Sequence, residues 1–257
     1  MKTKLLTLAL AALTIGLLGS CNKNNGPETP KTSEGKLSGK FTVNAEGKKV
    51  QFSKGNLWVD GDKALHFESN QYSFASSWDA SHVSHFTWSS TVADAVGNSN
   101  SGVNLFCDES HKVSVDRSEA IYYALSKDEW TYLFNNPGRM VNGKSCYSNA
   151  VTGVTIGGTT YKGVFLYPDN YNGEAVSDSM TWDDINAAGI VFLPAAGYRD
   201  GSNVVFFGRV GAGYYWSSTA SDGYYAYDVY FFNYDIYPDS FGSRDNGYSV
   251  RLVTDVN

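Results

Sequence analysis

The sequence predicts an α+β domain built mostly of antiparallel strands, with two short helices. Short alternating runs punctuated by glycine dominate both ends of the chain. Only two segments combine a helical apolar period with start and stop signals. Helices do not alternate with strands, which argues against a parallel sheet of βαβ units. At 257 residues the chain suits one large domain or two small ones, and either length buries a substantial core.

Residues 1–20 read as a secretory signal, with a basic "MKTK" followed by the apolar run "LLTLALAALTIGLLGS". Leu18-Gly19-Ser20-Cys21 is similar to a bacterial lipobox, so Cys21 is expected to be lipidated and to become the new N-terminus. The alternatives are an ordinary signal with an incidental cysteine, or an uncleaved anchor. Several acyl chains on one residue give durable attachment, because each buried methylene contributes about 0.8 kcal/mol. Residues 21–37 are polar, with proline and glycine, and read as a flexible tether. The domain is expected over residues 38–257.

Between residues 40 and 75, "KFTVNA", "KKVQFSKGNLWV", "KALHFES" and "QYSFA" read as strands and hairpins. Residues 76–118 are rich in Ser, Asn and Gly and read as a long irregular loop packed by Trp78, Phe86 and Trp88. "SKDEWTYLFNN" is the first helix. Ser126 and Glu129 form a capping box, Trp130, Leu133 and Phe134 make one apolar stripe, and Pro137-Gly138 ends it. Two strands flank Gly157-Gly158. "TWDDINAAG" is the second helix, with Thr181 as N-cap and Gly189 past its end. "IVFLPAAGYRD" reads as a buried strand, and three more runs complete a strand-rich C-terminal third.

The net charge is −6, and no basic run is present, which excludes a nucleic-acid footprint. Cys107 and Cys146 are the cysteines beyond Cys21. Export permits a bridge between them, and two separate buried thiols are equally compatible with the sequence. No H-E-x-x-H, P-loop or G-x-S-x-G elbow occurs, and "GRVGAG" lacks dinucleotide-binding order. His82 and His85, beside Asp79, form H-x-x-H in a Ser-rich loop, where a solvated loop outweighs a metal site. Asp183-Asp184 read as charges at a helix N-terminus. No enzyme activity, cofactor or metal is assigned.

Residues 222–249, "DGYYAYDVYFFNYDIYPDSFGSRDNGYS", contain no Lys, Glu, Gln or Met. As a strand, "AYDVYFFNYDIYP" puts Tyr227, Val229 and Phe231 on one face and Asp228, Tyr230, Phe232 and Tyr234 on the other. The first set reads as core. The second carries an aspartate, and unpaired aspartates are rarely buried, so it is expected to face outward. Tyr, Ser, Gly and Asn around rigid aromatics is also the composition of paratopes. An aromatic sheet buried on both faces remains the alternative.

"KVQFSKGNLWV", "NQYSFA", "LSKDEWTYLF", "GVFLYPDN", "GIVFLPAAGYRDG", "GYYWSST" and "GYSVRLV" occur in this order. Together they resemble exported lipoproteins of gut Bacteroidetes, over about residues 38–253. That group is related to the Fibrobacter major paralogous domain and includes variable proteins of diversity-generating retroelements. The resemblance implies a C-type-lectin-like fold, related to that of formylglycine-generating enzymes. It also implies a ligand-binding lipoprotein on the outer membrane, exposed at the cell surface. Its ligand would be a protein or a glycan, still unidentified.

Within a variable region, 214–251, the resemblance implies a fixed frame that includes Trp216, Arg244 and Arg251. The ligand contacts it implies are Tyr224, Asp228, Tyr230, Phe232, Tyr234, Asp235, Tyr237, Asp239, Phe241, Asp245, Asn246 and Tyr248. The calcium triplets of sugar-binding lectins, E-P-N, Q-P-D and W-N-D, do not occur, and no cysteine follows Cys146. Neither calcium-dependent sugar binding nor the oxidase chemistry therefore carries over. A hydrolase acting on surface glycans and an assembly protein using the same face as a subunit interface are the alternative functions.

Overall fold

The computed structural model describes residues 35–100, 102–135, 140–141, 144–145, 153–207, 211–233 and 235–256. Cys21, Pro137, Gly138, Cys146 and Tyr234 lie outside the described residues. The chain opens with β1 (Phe41–Thr42), β2 (Lys49–Phe52), β3 (Leu57–Asp60), β4 (Leu65–Phe67) and β5 (His82–Val83). Next come α1 (Val92–Val96), β6 (Val113–Ser114), β7 (Ile121–Ala124) and α2 (Lys127–Asn135). Short hairpins follow, formed by β8 (Met140–Val141) with β9 (Lys144–Ser145) and by β10 (Val154–Ile156) with β11 (Thr159–Tyr161). Then come β12 (Gly163–Leu166), α3 (Trp182–Ala187), β13 (Val191–Pro194), β14 (Tyr198–Asp200) and β15 (Asn203–Val205). The chain closes with β16 (Ala212–Ala220), β17 (Tyr225–Phe232), β18 (Asp235–Ser243) and β19 (Leu252–Asp255).

The architecture is α+β, and the ladders between these strands are antiparallel. The largest sheet has the order β1-β2-β19-β7-β6. Its last strand in sequence is central, with Val253 opposite Phe52 on one side and Tyr123 on the other. The two ends of the domain are therefore stitched together. The sheet of interest has the order β16-β17-β18, and a third has the order β4-β3-β5. No helix among the described residues is long and apolar enough to cross a membrane.

Both expected helices form for the expected reasons. Ser126 Oγ accepts from the Glu129 amide at 3.2 Å, and Glu129 Oε2 accepts from the Ser126 amide at 2.9 Å. Trp130, Leu133 and Phe134 are buried against Phe52, Val164 and Val229 in the main core. Thr181 and Asp184 make the second capping box on α3. Gly189 ends that helix at φ +69° with its backbone against Gly39, where a Cβ on either glycine would collide with the other's backbone. Gly189→Ala is therefore expected to cost about 1–3 kcal/mol in urea denaturation.

The structure corrects three details. The stretch 76–118 is not all loop, since it holds β5, α1 and β6. Helix α1 is a single turn, started by Thr91, and too short to show a sequence period. Phe86 and Trp88 are fully buried as expected, but Trp78 is exposed and lies over the Arg199 guanidinium at 4.9 Å. Packing also begins before residue 38, because Lys36 bridges to Ser53 and Leu37 is buried in the main core. Cys107 is a free, buried thiol, and burial pushes its pKa well up.

Candidate functional site: the aromatic face of the C-terminal sheet

Strand alternation divides the three C-terminal strands into two faces. Tyr215, Val229, Phe231 and Ile236 point into the main core towards α2. Tyr214, Trp216, Asp228, Tyr230, Phe232 and Tyr237 point the other way. Register makes this second set into a ladder. Tyr214 lies opposite Tyr230, and Tyr230 opposite Tyr237. Their rings stack at 4.8 and 5.7 Å between centroids, within 22° and 14° of parallel. Tyr198 meets Tyr214 edge-on at 5.4 Å, and Tyr248 packs on Tyr214 at 4.9 Å. Phe207 joins through Phe232 at 6.4 Å. The rings thus form one continuous aromatic surface across all three strands. It ends at Tyr237, which is 48% exposed on the edge strand.

That edge is closed to strand addition. Between Asp228 and Tyr230, β17 advances two residues, while β18 advances three, from Ser240 to Tyr237. The extra residue is a β-bulge, and it holds Pro238, which has no N–H for a ladder. Asp235 and Asp239 on the same strand are exposed. Bulge, proline and charge all discourage pairing with another strand. What this edge presents to its surroundings is therefore side chains rather than open backbone. Asn233 supplies the tight turn between β17 and β18 at φ +59°.

The expected contact residues do not all meet. Tyr230, Phe232, Asp235 and Tyr237 share the aromatic face, with Tyr230 and Phe232 half-buried and Asp235 exposed. Asp239 and Phe241 belong to the opposite face, beside Tyr227, which Lys127 caps at 5.0 Å. Phe241 is 61% exposed and packs edge-on with Tyr225. Tyr227, expected in the core, is therefore only half-buried, because it lies beyond the N-terminal end of α2. Tyr224 sits in the turn before β17, which Asp222 closes by accepting from the Tyr224 and Tyr225 amides. Asp245 and Asn246 sit in the turn after β18, where Asn246 Nδ2 donates to the Tyr248 hydroxyl at 3.4 Å.

Two of the residues expected to face solvent are buried. Asp228 is 1% exposed and Tyr248 is 4% exposed. The cause is non-local. Tyr248 stacks on Trp216 of β16 at 4.1 Å, and its hydroxyl reaches over Gly242 of β18. It therefore spans β17 at the level of Asp228, which pairs with Trp216 and Ser240. Desolvation pushes the Asp228 carboxyl up to about 8, although a hydrogen bond with Ser240 opposes the shift. Its Oδ1 has no hydrogen-bond partner. The sequence argument that an unpaired aspartate marks a solvated face fails here, because a shifted pKa lets the group stay buried and neutral.

Other chemically rich places were not legible from motifs. His82 and His85 diverge. His85 is buried, contacts the Ala196 carbonyl at 3.1 Å, and burial drops its pKa to about 4. His82 stacks flat on Trp58 at 4.2 Å and pairs with Glu68 at 2.7 Å. The other side of that small sheet cluster holds His66, stacked on the same indole at 4.6 Å. Asp60 and Asp116 both bind the His66 ring, at 3.1 and 2.9 Å, beside a groove of about 620 Å³. Burial lowers the His66 pKa, but the two hydrogen bonds outweigh it and the net shift is upward. Both carboxylates thus hold one imidazole ring between them. A separate cavity of about 390 Å³ is lined by Tyr72, Phe74, Tyr161, Phe192 and Phe206. Among the described residues, no three His, Cys, Asp or Glu side chains converge for a metal.

Neither a family model, nor a curated protein, nor a solved structure matches this chain.

Proposed function

We propose that the protein is a surface-exposed lipoprotein that binds a protein or glycan ligand through the aromatic face of its C-terminal sheet. The observation that carries this reading is the Tyr214–Tyr230–Tyr237 ladder, which runs from the core to an exposed ring on a strand edge closed to pairing. Tyrosines held by their neighbours offer large contact area at little entropic cost on binding. The fixed frame implied by the sequence resemblance, Trp216 with Arg244 and Arg251, is buried here, as a scaffold requires. On this reading the frame is C-type-lectin-like, and the face belongs to the class of surfaces varied by diversity-generating retroelements. A near-identical template repeat beside the gene, differing at adenines, is the genomic mark of that variation.

The test is a double substitution, Tyr230→Ser with Tyr237→Ser, probed against a panel of glycans and peptides. Each stacked pair is worth about 0.5–1.5 kcal/mol beyond area burial, so the variant is expected to stay folded with a lowered Tm. Binding to the panel is expected to disappear. Retained binding, or loss of the fold, would assign these rings to the core. Tyr215→Ser, on the buried face, serves as the contrast, because it removes hydrogen bonds to Asn56 and Pro194.

The anchor is tested separately. Cells fed an alkyne-bearing fatty acid are expected to label the wild-type protein, and Cys21→Ser to remove the label. Labelling that survives Cys21→Ser would place the lipid elsewhere.

A further inference from the structure

His66 on β4 ties together two other segments of the chain. Its Nε2 lies 3.1 Å from Asp60 Oδ2 on β3, and its Nδ1 lies 2.9 Å from Asp116 Oδ1 in the turn after β6. The remaining oxygens of both acids already accept hydrogen bonds. Asp60 Oδ1 accepts from the Asp62 and Ala64 amides at 3.0 and 2.8 Å. Asp116 Oδ2 accepts from the Phe67 amide at 3.4 Å and faces Lys54 Nζ at 3.8 Å. The imidazole must therefore donate at both nitrogens to satisfy this arrangement. A neutral ring has one N–H and serves only one acid, whereas a doubly protonated ring serves both. Stacking on the Trp58 indole at 4.6 Å favours the charged ring further.

The same ring spans the groove of about 620 Å³. One wall is the β3–β4 turn, with Asp62 and Lys63. The other is Ser114 with the turn that carries Asp116 and Arg117. Asp116 and Arg117 sit at φ +54° and +56°, a pair of left-handed residues whose second place favours glycine. That turn is thus held against its own backbone preference. Its ties to β4 among the described residues are the Asp116 amide to the Leu65 carbonyl at 3.1 Å, the Phe67 amide to Asp116, and the His66 bond. Asp60, by contrast, is fixed within its own hairpin. We propose that His66 is a proton-operated latch across this groove. The doubly protonated ring pins the Asp116 turn to the β3–β4 hairpin, and loss of one proton releases the turn and widens the groove. The groove shares no lining residue with the C-terminal sheet, so the latch stands apart from the aromatic face.

The sign follows from His66 itself. Its imidazole titrates near the ordinary 6.5 in the unfolded chain. In the fold, burial lowers the pKa, but the hydrogen bonds with Asp60 and Asp116 outweigh it, and the net shift is upward. The latch therefore contributes fully below pH 6.5 and is lost as pH rises through the folded value. The hydrogen bond with His66 also holds the Asp60 carboxyl below its ordinary 3.8, so that acid stays ionised through the window. The charged groups facing the ring are Asp60 from β3 and Asp116 from the turn after β6, with Lys54 behind it. Across Trp58 lies His82 of β5, paired with Glu68. Asp62, Lys63 and Arg117 line the groove around it.

The experiment follows the imidazole nitrogens by NMR across pH and reads the turn by amide hydrogen exchange. At pH 6 both His66 nitrogens are expected to carry protons, with a midpoint above 6.5. After correction for intrinsic base catalysis, exchange at the Asp116 and Phe67 amides is expected to quicken by at least about tenfold through that midpoint, while Val253 in the central strand stays unchanged. His66→Gln, which cannot take the second proton, is expected to remove the step. Asp116→Asn is expected to bring the His66 midpoint down, and Asp60→Asn carries the same test if that variant does not fold. A singly protonated ring at pH 6, a midpoint at or below 6.5, or exchange that passes through the midpoint without a step overturns the latch. A step that persists in His66→Gln overturns it as well.

Discussion

Asp228→Asn is expected to stabilise the protein at pH 8–9 and to leave stability at pH 4 little changed. The Asp228 carboxyl ionises near the ordinary 3.8 in the unfolded chain but near 8 in the fold, because burial disfavours its charge. Between those values the folded protein holds one proton more than the unfolded chain. Stability therefore falls as pH rises through that window, by about 1.4 kcal/mol per unit at most. The full cost reaches up to about 6 kcal/mol above pH 8 and vanishes below pH 4. Asparagine cannot ionise, so this slope should be absent from the variant. Urea denaturation at half-unit pH steps measures it. Parallel wild-type and variant curves would mean that Asp228 is charged and compensated in the fold.

Arg199→Ala is expected to remove about 3–5 kcal/mol, a large part of the 5–15 kcal/mol that holds an ordinary domain together. Arg199 is 1% exposed, and desolvation lowers its pKa to about 10. Its guanidinium reaches the His85 carbonyl at 3.1 Å, Asn98 Oδ1 at 2.8 Å, and the carbonyls of Gly201 and Gly97 at 2.6 and 2.8 Å. One planar fork thus satisfies acceptors from the turn after β14, from the segment after β5 and from the end of α1. Alanine would leave the buried His85 carbonyl without this donor and the half-buried Gly97 and Gly201 carbonyls to water, with a void beside them. Lysine should rescue little, since one ammonium cannot face acceptors that diverge around a plane. A lysine variant as stable as wild type would show that charge alone matters there. Arg251 is built on the same plan, with Gln71 Oε1 at 2.9 Å and Asn56 Oδ1 at 3.3 Å.

Local signals were read correctly where the physics is local. The capping boxes of α2 and α3 need residues only three apart, and both form. The Gly157-Gly158 turn forms too, with both glycines at positive φ. Alternation along β17 separated Val229 and Phe231 from Tyr230 and Phe232, because side-chain direction in a strand depends on its own backbone alone. What depended on partners was hidden. Tyr214 enters the ladder only because a hairpin register places it opposite Tyr230, across an irregularity between Trp216 and Ala220. Tyr198 arrives through a bridge between Gly197 and Gly213, with no sequence mark. Burial of Asp228 depends on Tyr248, twenty residues later, crossing the sheet. The split of Asp239 and Phe241 onto the other face follows from the bulge at Pro238, which shifts every later residue of β18 by one. The Asp60–His66–Asp116 cluster likewise needed the β3–β4 register to appear.

The central claim, that ligand meets the solvent side of the C-terminal sheet, is tested most directly by hydroxyl-radical footprinting of tyrosines. In the free protein, oxidation is expected to be fast at Tyr224 and Tyr237, slower at Tyr230, and negligible at Tyr215. With the tightest-binding glycan or peptide of the panel added at saturation, Tyr237 and Tyr230 should be protected, while Tyr224 and Tyr225 stay reactive. Protection confined instead to Tyr72 and Tyr161, in the 390 Å³ cavity, would contradict the account and move the binding site there.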